Sequence, residues 1–158
     1  MKILEPLFID AIEKLLYNKV EFMLIGGYAV NYYGFHRYTG DLDFWINPTE
    51  ENKSAFIDAL VQLKCSPSNI GRIKNEIFPV TDVISIGEPP LRIDFLTKVN
   101  LVEFSDAWPK RNFLKVNNLE LPIVDYHSLI LMKMTTSRGK DKIDIEELQK
   151  IHQRKSKK

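Results

Sequence analysis

Apolar residues recur at Leu4, Leu7, Phe8, Ala11, Ile12, Leu15 and Leu16, a spacing of three and four that predicts an amphipathic helix over residues 3–18. Phe22 to Ile25 is an unbroken apolar run that stops at Gly26-Gly27, which predicts a buried strand ending in a tight turn. Helical character from Tyr28 to Tyr33 ends near Gly34, a residue suited to a helix C-terminus. Asp41 to Ile46 alternates polar and bulky apolar positions, which predicts a strand closed by Asn47-Pro48. Pro48 or Thr49 then opens a helix whose core face is Phe56, Ala59, Leu60 and Leu63.

Residues 65–79 are irregular, with Pro67, Gly71 and Pro79 as punctuation. Asp82–Ile86 and Leu91–Leu96 read as two strands joined through Gly87-Glu88-Pro89-Pro90, and Asn117-Asn118 between two apolar runs reads as a hairpin turn. Asp125 can cap a helix carrying Leu129, Ile130, Met132 and Lys133, and a last helix holds Ile143, Leu148 and Ile151. Strands and helices alternate early and a hairpin follows, so the expected class is α/β (α+β) with a mixed sheet flanked by helices.

Composition narrows this picture. A chain of 158 residues with 44% hydrophobic residues suits one domain spanning 1–158 with a full core. The net charge of +1 hides an asymmetry: Arg154, Lys155, Lys157 and Lys158 crowd the end, and without them 18 basic residues face 21 acidic ones. The basic tail over 152–158 is expected to be a flexible, solvated end, with steering of RNA as the functional alternative. The lone Cys65 excludes an intramolecular disulfide and Cys-x-x-Cys chemistry, and His36, His127 and His152 lack metal-ligand spacing. Charges interrupt the apolar residues of the first helix, and no run approaches a membrane span, so the expected location is cytoplasmic, without a membrane partner.

Chemistry concentrates between Phe22 and Ile46. On a strand Asp41 and Asp43 share one face, while Leu42, Phe44 and Ile46 share the other; Trp45 stands on the acid face and is a candidate to line a site. Two carboxylates that close raise one pKa unless a cation lies between them, and Mg²⁺, which takes hard oxygen ligands, is the natural one. Upstream, Gly26-Gly27 lets backbone approach a phosphate, and the helix behind it offers free N–H groups. A third acid is expected on a neighbouring strand. Asp94 fits, because Leu91, Ile93 and Phe95 share one face and leave Arg92 and Asp94 on the other.

This order of motifs resembles the DNA polymerase β-like nucleotidyltransferase superfamily: an apolar strand ending in Gly-Gly, then Asp-x-Asp flanked by apolar residues, then a third acid. Arg37-Tyr38-Thr39-Gly40-Asp41-Leu42-Asp43 is similar to the Arg-x-Thr-x-Asp-x-Asp form of small bacterial members, the minimal nucleotidyltransferases and the AbiEii-like toxin group. Leu131-Met132-Lys133 followed by Arg138-Gly139-Lys140-Asp141 and Asp144 extends the likeness over residues 20–150.

The resemblance implies a nucleotidyltransferase fold and transfer of a nucleotide from a nucleoside triphosphate, ATP being the expected one, to a hydroxyl with pyrophosphate release. Asp41, Asp43 and Asp94 would be catalytic and would hold two Mg²⁺ ions, with Mn²⁺ as a substitute. Gly26, Gly27, Arg37, Thr39 and Lys133 would contact the nucleotide. Small molecules such as antibiotics, RNA ends and protein side chains all remain open as acceptors, as does a toxin–antitoxin or resistance role. The length leaves little room for a helical clamp, so a second copy or a partner chain would complete the site. A binding module that keeps the fold without catalysis is the alternative. A phosphatase of the Asp-x-Asp-x-Thr kind fits less well, since Trp45 stands where Thr is needed. Read without the resemblance, Lys133 is a lysine snorkelling from an apolar helix, and Arg138 to Asp144 is a charged helix entry with surface ion pairs.

Overall fold

In a computed structural model, which describes residues 5–158, six strands form one mixed sheet. They are β1 (Phe22–Ile25), β2 (Leu42–Ile46), β3 (Ile84–Glu88), β4 (Leu91–Leu96), β5 (Asn112–Val116) and β6 (Leu119–Ile123). Their spatial order is β3-β4-β2-β1-β6-β5. The pairs β2/β4 and β1/β6 are parallel, and the β1/β2, β3/β4 and β5/β6 pairs are antiparallel. The helices are α1 (Pro6–Tyr17), α2 (Gly26–Tyr32), α3 (Glu50–Gln62), α4 (Pro67–Asn75), α5 (Phe104–Ala107), α6 (Tyr126–Met134) and α7 (Gly139–Ser156). The α/β expectation holds. Leu4 and the start of the helix expected over 3–18 lie outside the described residues.

Strand alternation divides the sheet into an apolar face and a reactive one. Phe44 meets Phe22 edge-on at 5.2 Å and Phe95 at 6.0 Å, and Phe56 of α3 meets Phe95 at 5.0 Å. These rings are fully buried, and each contributes about 1.5–3 kcal/mol by leaving water. On the opposite face Trp45 follows Asp43, but it does not line a site: Phe104 of α5 packs edge-on against it at 5.1 Å and it is buried. Asp43 is therefore the last polar group on β2 before a hydrophobic seal.

Local signals account for most boundaries. The Thr49 hydroxyl accepts from the Asn52 N–H and caps α3, and the Asp125 carboxylate accepts from the Ser128 N–H and caps α6. Asn117 takes the left-handed conformation, with φ of 53°, in the two-residue turn between β5 and β6. Two differences from the sequence expectation stand out. The irregular stretch 65–79 contains α4, capped by Ser66 with Pro67 in its first turn; only Ile70 and Ile73 of it are buried, too few for a clear period. A short helix, α5, and a 3₁₀ turn at Trp108–Lys110 precede β5. The last helix, α7, extends through Ser156 into the basic tail.

Candidate active site

Two long-range pairings place Asp43. The antiparallel register of β1 and β2 sets it opposite Ile25, beside the Gly26-Gly27 turn, and the parallel register of β2 and β4 sets it beside Asp94. Gly26 has φ of +71°, and a Cβ on it would stand 2.2 Å from Asp43 Oδ2. A Cβ on Gly27 would stand 2.3 Å from Thr39 Oγ1. Glycine is required twice here, first for backbone conformation and then for the space into which Asp43 and Thr39 fit. The same two residues open α2, whose first N–H groups have no partner within the helix.

Arg92 is the cation of the acid cluster. Its Nη2 donates to Asp41 Oδ2 at 2.7 Å and to Asp94 Oδ2 at 3.3 Å, and its Nε lies 3.1 Å from Asp94 Oδ1. Ser85 of β3 donates its hydroxyl to Asp94 Oδ1 at 2.6 Å. Asp43 is left with like charges around it. Burial, then Asp94, then Asp41 push its pKa up to about 7, against the opposing pull of Lys133 and Lys140.

A second cluster ties α6, α7 and the loop before β2 together. Asp141 and Asp144, three residues apart on α7, are fully buried. Asp144 accepts a fork from Arg37, Nε at 2.6 Å and Nη2 at 2.8 Å, and it lies 3.0 Å from Lys133 Nζ. Asp141 accepts from Lys133 Nζ at 2.8 Å, Thr136 Oγ1 at 2.6 Å and Arg138 Nε at 2.8 Å. Burial by itself raises the Asp141 pKa, but these hydrogen bonds outweigh it and hold the value at about 2. The run Arg138–Asp144 is thus not a set of surface ion pairs, and Lys133 does not snorkel outward. Helical spacing of Asp141 and Asp144 was the signal available in the sequence; the pairing of Asp144 with Arg37, 107 positions away, was not.

Both clusters face one cavity of about 1120 Å³. All eight residues singled out from the sequence line it: Gly26, Gly27, Arg37, Thr39, Asp41, Asp43, Asp94 and Lys133. Arg92, Arg138 and Lys140, which the resemblance left without a role, line it too, with the exposed Tyr38 at its edge. Carboxylates and cations therefore line the same cavity.

Three carboxylates around a raised pKa form a hard-oxygen donor set suited to Mg²⁺. Among the described residues, however, no three acidic, histidine or cysteine side chains converge on a single ion position. Arg92 pairs with two of the three carboxylates, Asp41 and Asp94.

A six-stranded mixed sheet with this strand order, and with acids on two adjacent strands beside a glycine turn, defines a nucleotidyltransferase fold. Solved structures bear this out. A lincosamide antibiotic adenylyltransferase, LnuA, solved with lincomycin bound, superimposes with a TM-score of 0.55 at 14% identity, over 96% of this chain and 99% of that one. An antigenic nucleotidyltransferase-like protein from Paracoccidioides brasiliensis superimposes with a TM-score of 0.52 at 14% identity, over 94% of this chain and 77% of that one. No family model matches the chain, and no curated protein matches it in sequence. Among the described residues no helix is long and apolar enough to cross a membrane.

Proposed function

We propose that the protein is a Mg²⁺-dependent nucleotidyltransferase that moves a nucleotide from a nucleoside triphosphate, ATP being the expected donor, to a hydroxyl of a small molecule. The observation that carries this reading is the cavity, which Asp43 of β2, Asp94 of β4 and Asp41 just before β2 line together with the Gly26-Gly27 turn and Lys140. The end-to-end likeness to an adenylyltransferase of a small antibiotic supports a small acceptor over a polymer.

Bound Mg²⁺ would offset charge on the triphosphate and on the attacking and leaving oxygens. Asp41, Asp43 and Asp94 would hold it. The N–H groups that open α2 and the ammonium of Lys140 would receive phosphate oxygens. The acceptor hydroxyl attacks the α-phosphorus, its proton passes to a site carboxylate, the bond to the β-phosphate breaks, and pyrophosphate leaves. Arg37 and Thr39 shape the loop that delivers Asp41 and Asp43, and Lys133 ties that loop's partner Asp144 to α6.

Calorimetric titration of each nucleoside triphosphate, with and without Mg²⁺, tests the reading. Wild type is expected to bind one of them only with the ion, and Asp43→Asn to lose that binding by at least tenfold, about 1.4 kcal/mol. Pyrophosphate release is then measured with hydroxylated acceptors. Failure of the wild type to bind any triphosphate in the presence of Mg²⁺ overturns the assignment.

A further inference from the structure

Arg92 has a place in the site that the reaction outlined above does not use. It stands two residues before Asp94 on β4, so strand alternation brings its side chain to the acid face. From there a single guanidinium reaches both Asp41, in the residue before β2, and Asp94 on β4. Those are two of the three carboxylates that would hold a divalent ion. Asp43, the third, is not among its partners.

The hold is close but imperfect. The Arg92 Nε is buried and lies 3.1 Å from Asp94 Oδ1, yet it makes no hydrogen bond. The fork geometry that makes arginine–carboxylate pairs strong is therefore incomplete on both acids. More than a third of the side chain is exposed to the cavity, so the guanidinium has open space to move into. A triphosphate arriving there would offer the guanidinium further anionic oxygens and a larger negative charge than either acid.

We infer that Arg92 is a resident counter-cation, occupying the ion position between Asp41 and Asp94 until a nucleotide draws it away. This inference rests on the proposed nucleotidyl-transfer reading of the site. Divalent ion and nucleotide then load cooperatively. The ion binds weakly to the free protein because it must displace a fixed positive charge, and the nucleotide strengthens ion binding by giving that charge another partner. Reciprocity requires the ion to strengthen nucleotide binding by the same factor.

Binding of Mn²⁺ alone, followed by electron paramagnetic resonance of the free ion, tests this on the full chain. Wild type, Arg92→Gln and Arg92→Lys are compared, with thermal melting in EDTA to establish that each is folded. In the absence of nucleotide, Arg92→Gln is expected to bind Mn²⁺ at least tenfold more tightly than wild type, about 1.4 kcal/mol. Arg92→Lys keeps the charge but cannot span both carboxylates, so it too is expected to bind more tightly than wild type. Adding a non-hydrolysable ATP analogue should tighten Mn²⁺ binding in wild type far more than in Arg92→Gln. Equal Mn²⁺ affinity in wild type and Arg92→Gln overturns the inference while leaving the metal site in place. Arg92→Lys behaving as wild type overturns it as well, by reducing the effect to charge at a distance. Absence of Mn²⁺ binding in all three proteins, with or without the analogue, removes the metal site and this inference together.

Discussion

At the scale of single residues, Asp43 is the group whose chemistry departs furthest from its ordinary state. Without a metal, Asp43 in the folded protein keeps its proton up to about 7, whereas an ordinary aspartate loses it near 3.8. Between those values the folded form binds more protons than the unfolded one, so this group's contribution to stability is complete at low pH and is lost as pH rises toward 7. In EDTA the melting temperature of wild type is expected to fall between pH 4.5 and 7.5. Asp43→Asn, which cannot ionise, should lose most of that decline; identical slopes in the two proteins would place the titration elsewhere. The identity of the acids was legible because strand alternation forces Asp41 and Asp43 to one side. The reason for Gly26 was only half legible. Its turn was expected, but the need for a missing Cβ arises from Asp43, which the fold brings back 17 residues later.

At the scale of elements, α7 is held to the site by ions as much as by apolar packing. It buries Leu148, and beside it Asp141 and Asp144 with their partners Lys133 and Arg37. Removing one member of a buried ion cluster leaves the others desolvated without a counter-charge, which costs about 3–5 kcal/mol. Asp144→Ala is therefore expected to destabilise the protein by that amount in urea unfolding, because both Arg37 and Lys133 lose their partner. The exposed pair of Lys150 and Glu147 on the same helix sets the contrast: Lys150→Ala should change stability by less than about 0.5 kcal/mol. A similarly small cost for Asp144→Ala would mean that the cluster is solvated in solution. Elements with long apolar stripes, such as α1 and α3, could be read from periodicity. A polar helix such as α7 gave little hint of which face turns inward, since its inward face carries aspartates and the Arg37 that pairs with Asp144 lies 107 positions away. The nine-residue α4 escaped for a different reason, because its Pro67 and Gly71 read as punctuation.

At the scale of the molecule, the site is made by strand order. β4 inserts parallel to β2 while β1 flanks it antiparallel, so one strand is shared by both halves of the acid-and-glycine constellation. No local pattern encodes that neighbour relation; only the Asp94 alternation on an apolar strand pointed to it. The cavity opens on this seam, while the basic residues Arg154, Lys155, Lys157 and Lys158 sit at the exposed far end of α7, and none of them lines it. That separation bears on the acceptor. A polymer that used the tail would have to reach from it to Asp43, whereas a small hydroxylated molecule needs the cavity alone. Deleting residues 154–158 is expected to leave Mg²⁺-dependent triphosphate binding unchanged and stability within about 0.5 kcal/mol, because those side chains are solvated. Fluorescence anisotropy with a short single-stranded RNA should show no saturable binding by wild type at physiological salt. Saturable binding that weakens with added salt and disappears in the deletion would reveal phosphate contacts through the tail, and it would transfer the acceptor assignment from a small molecule to RNA.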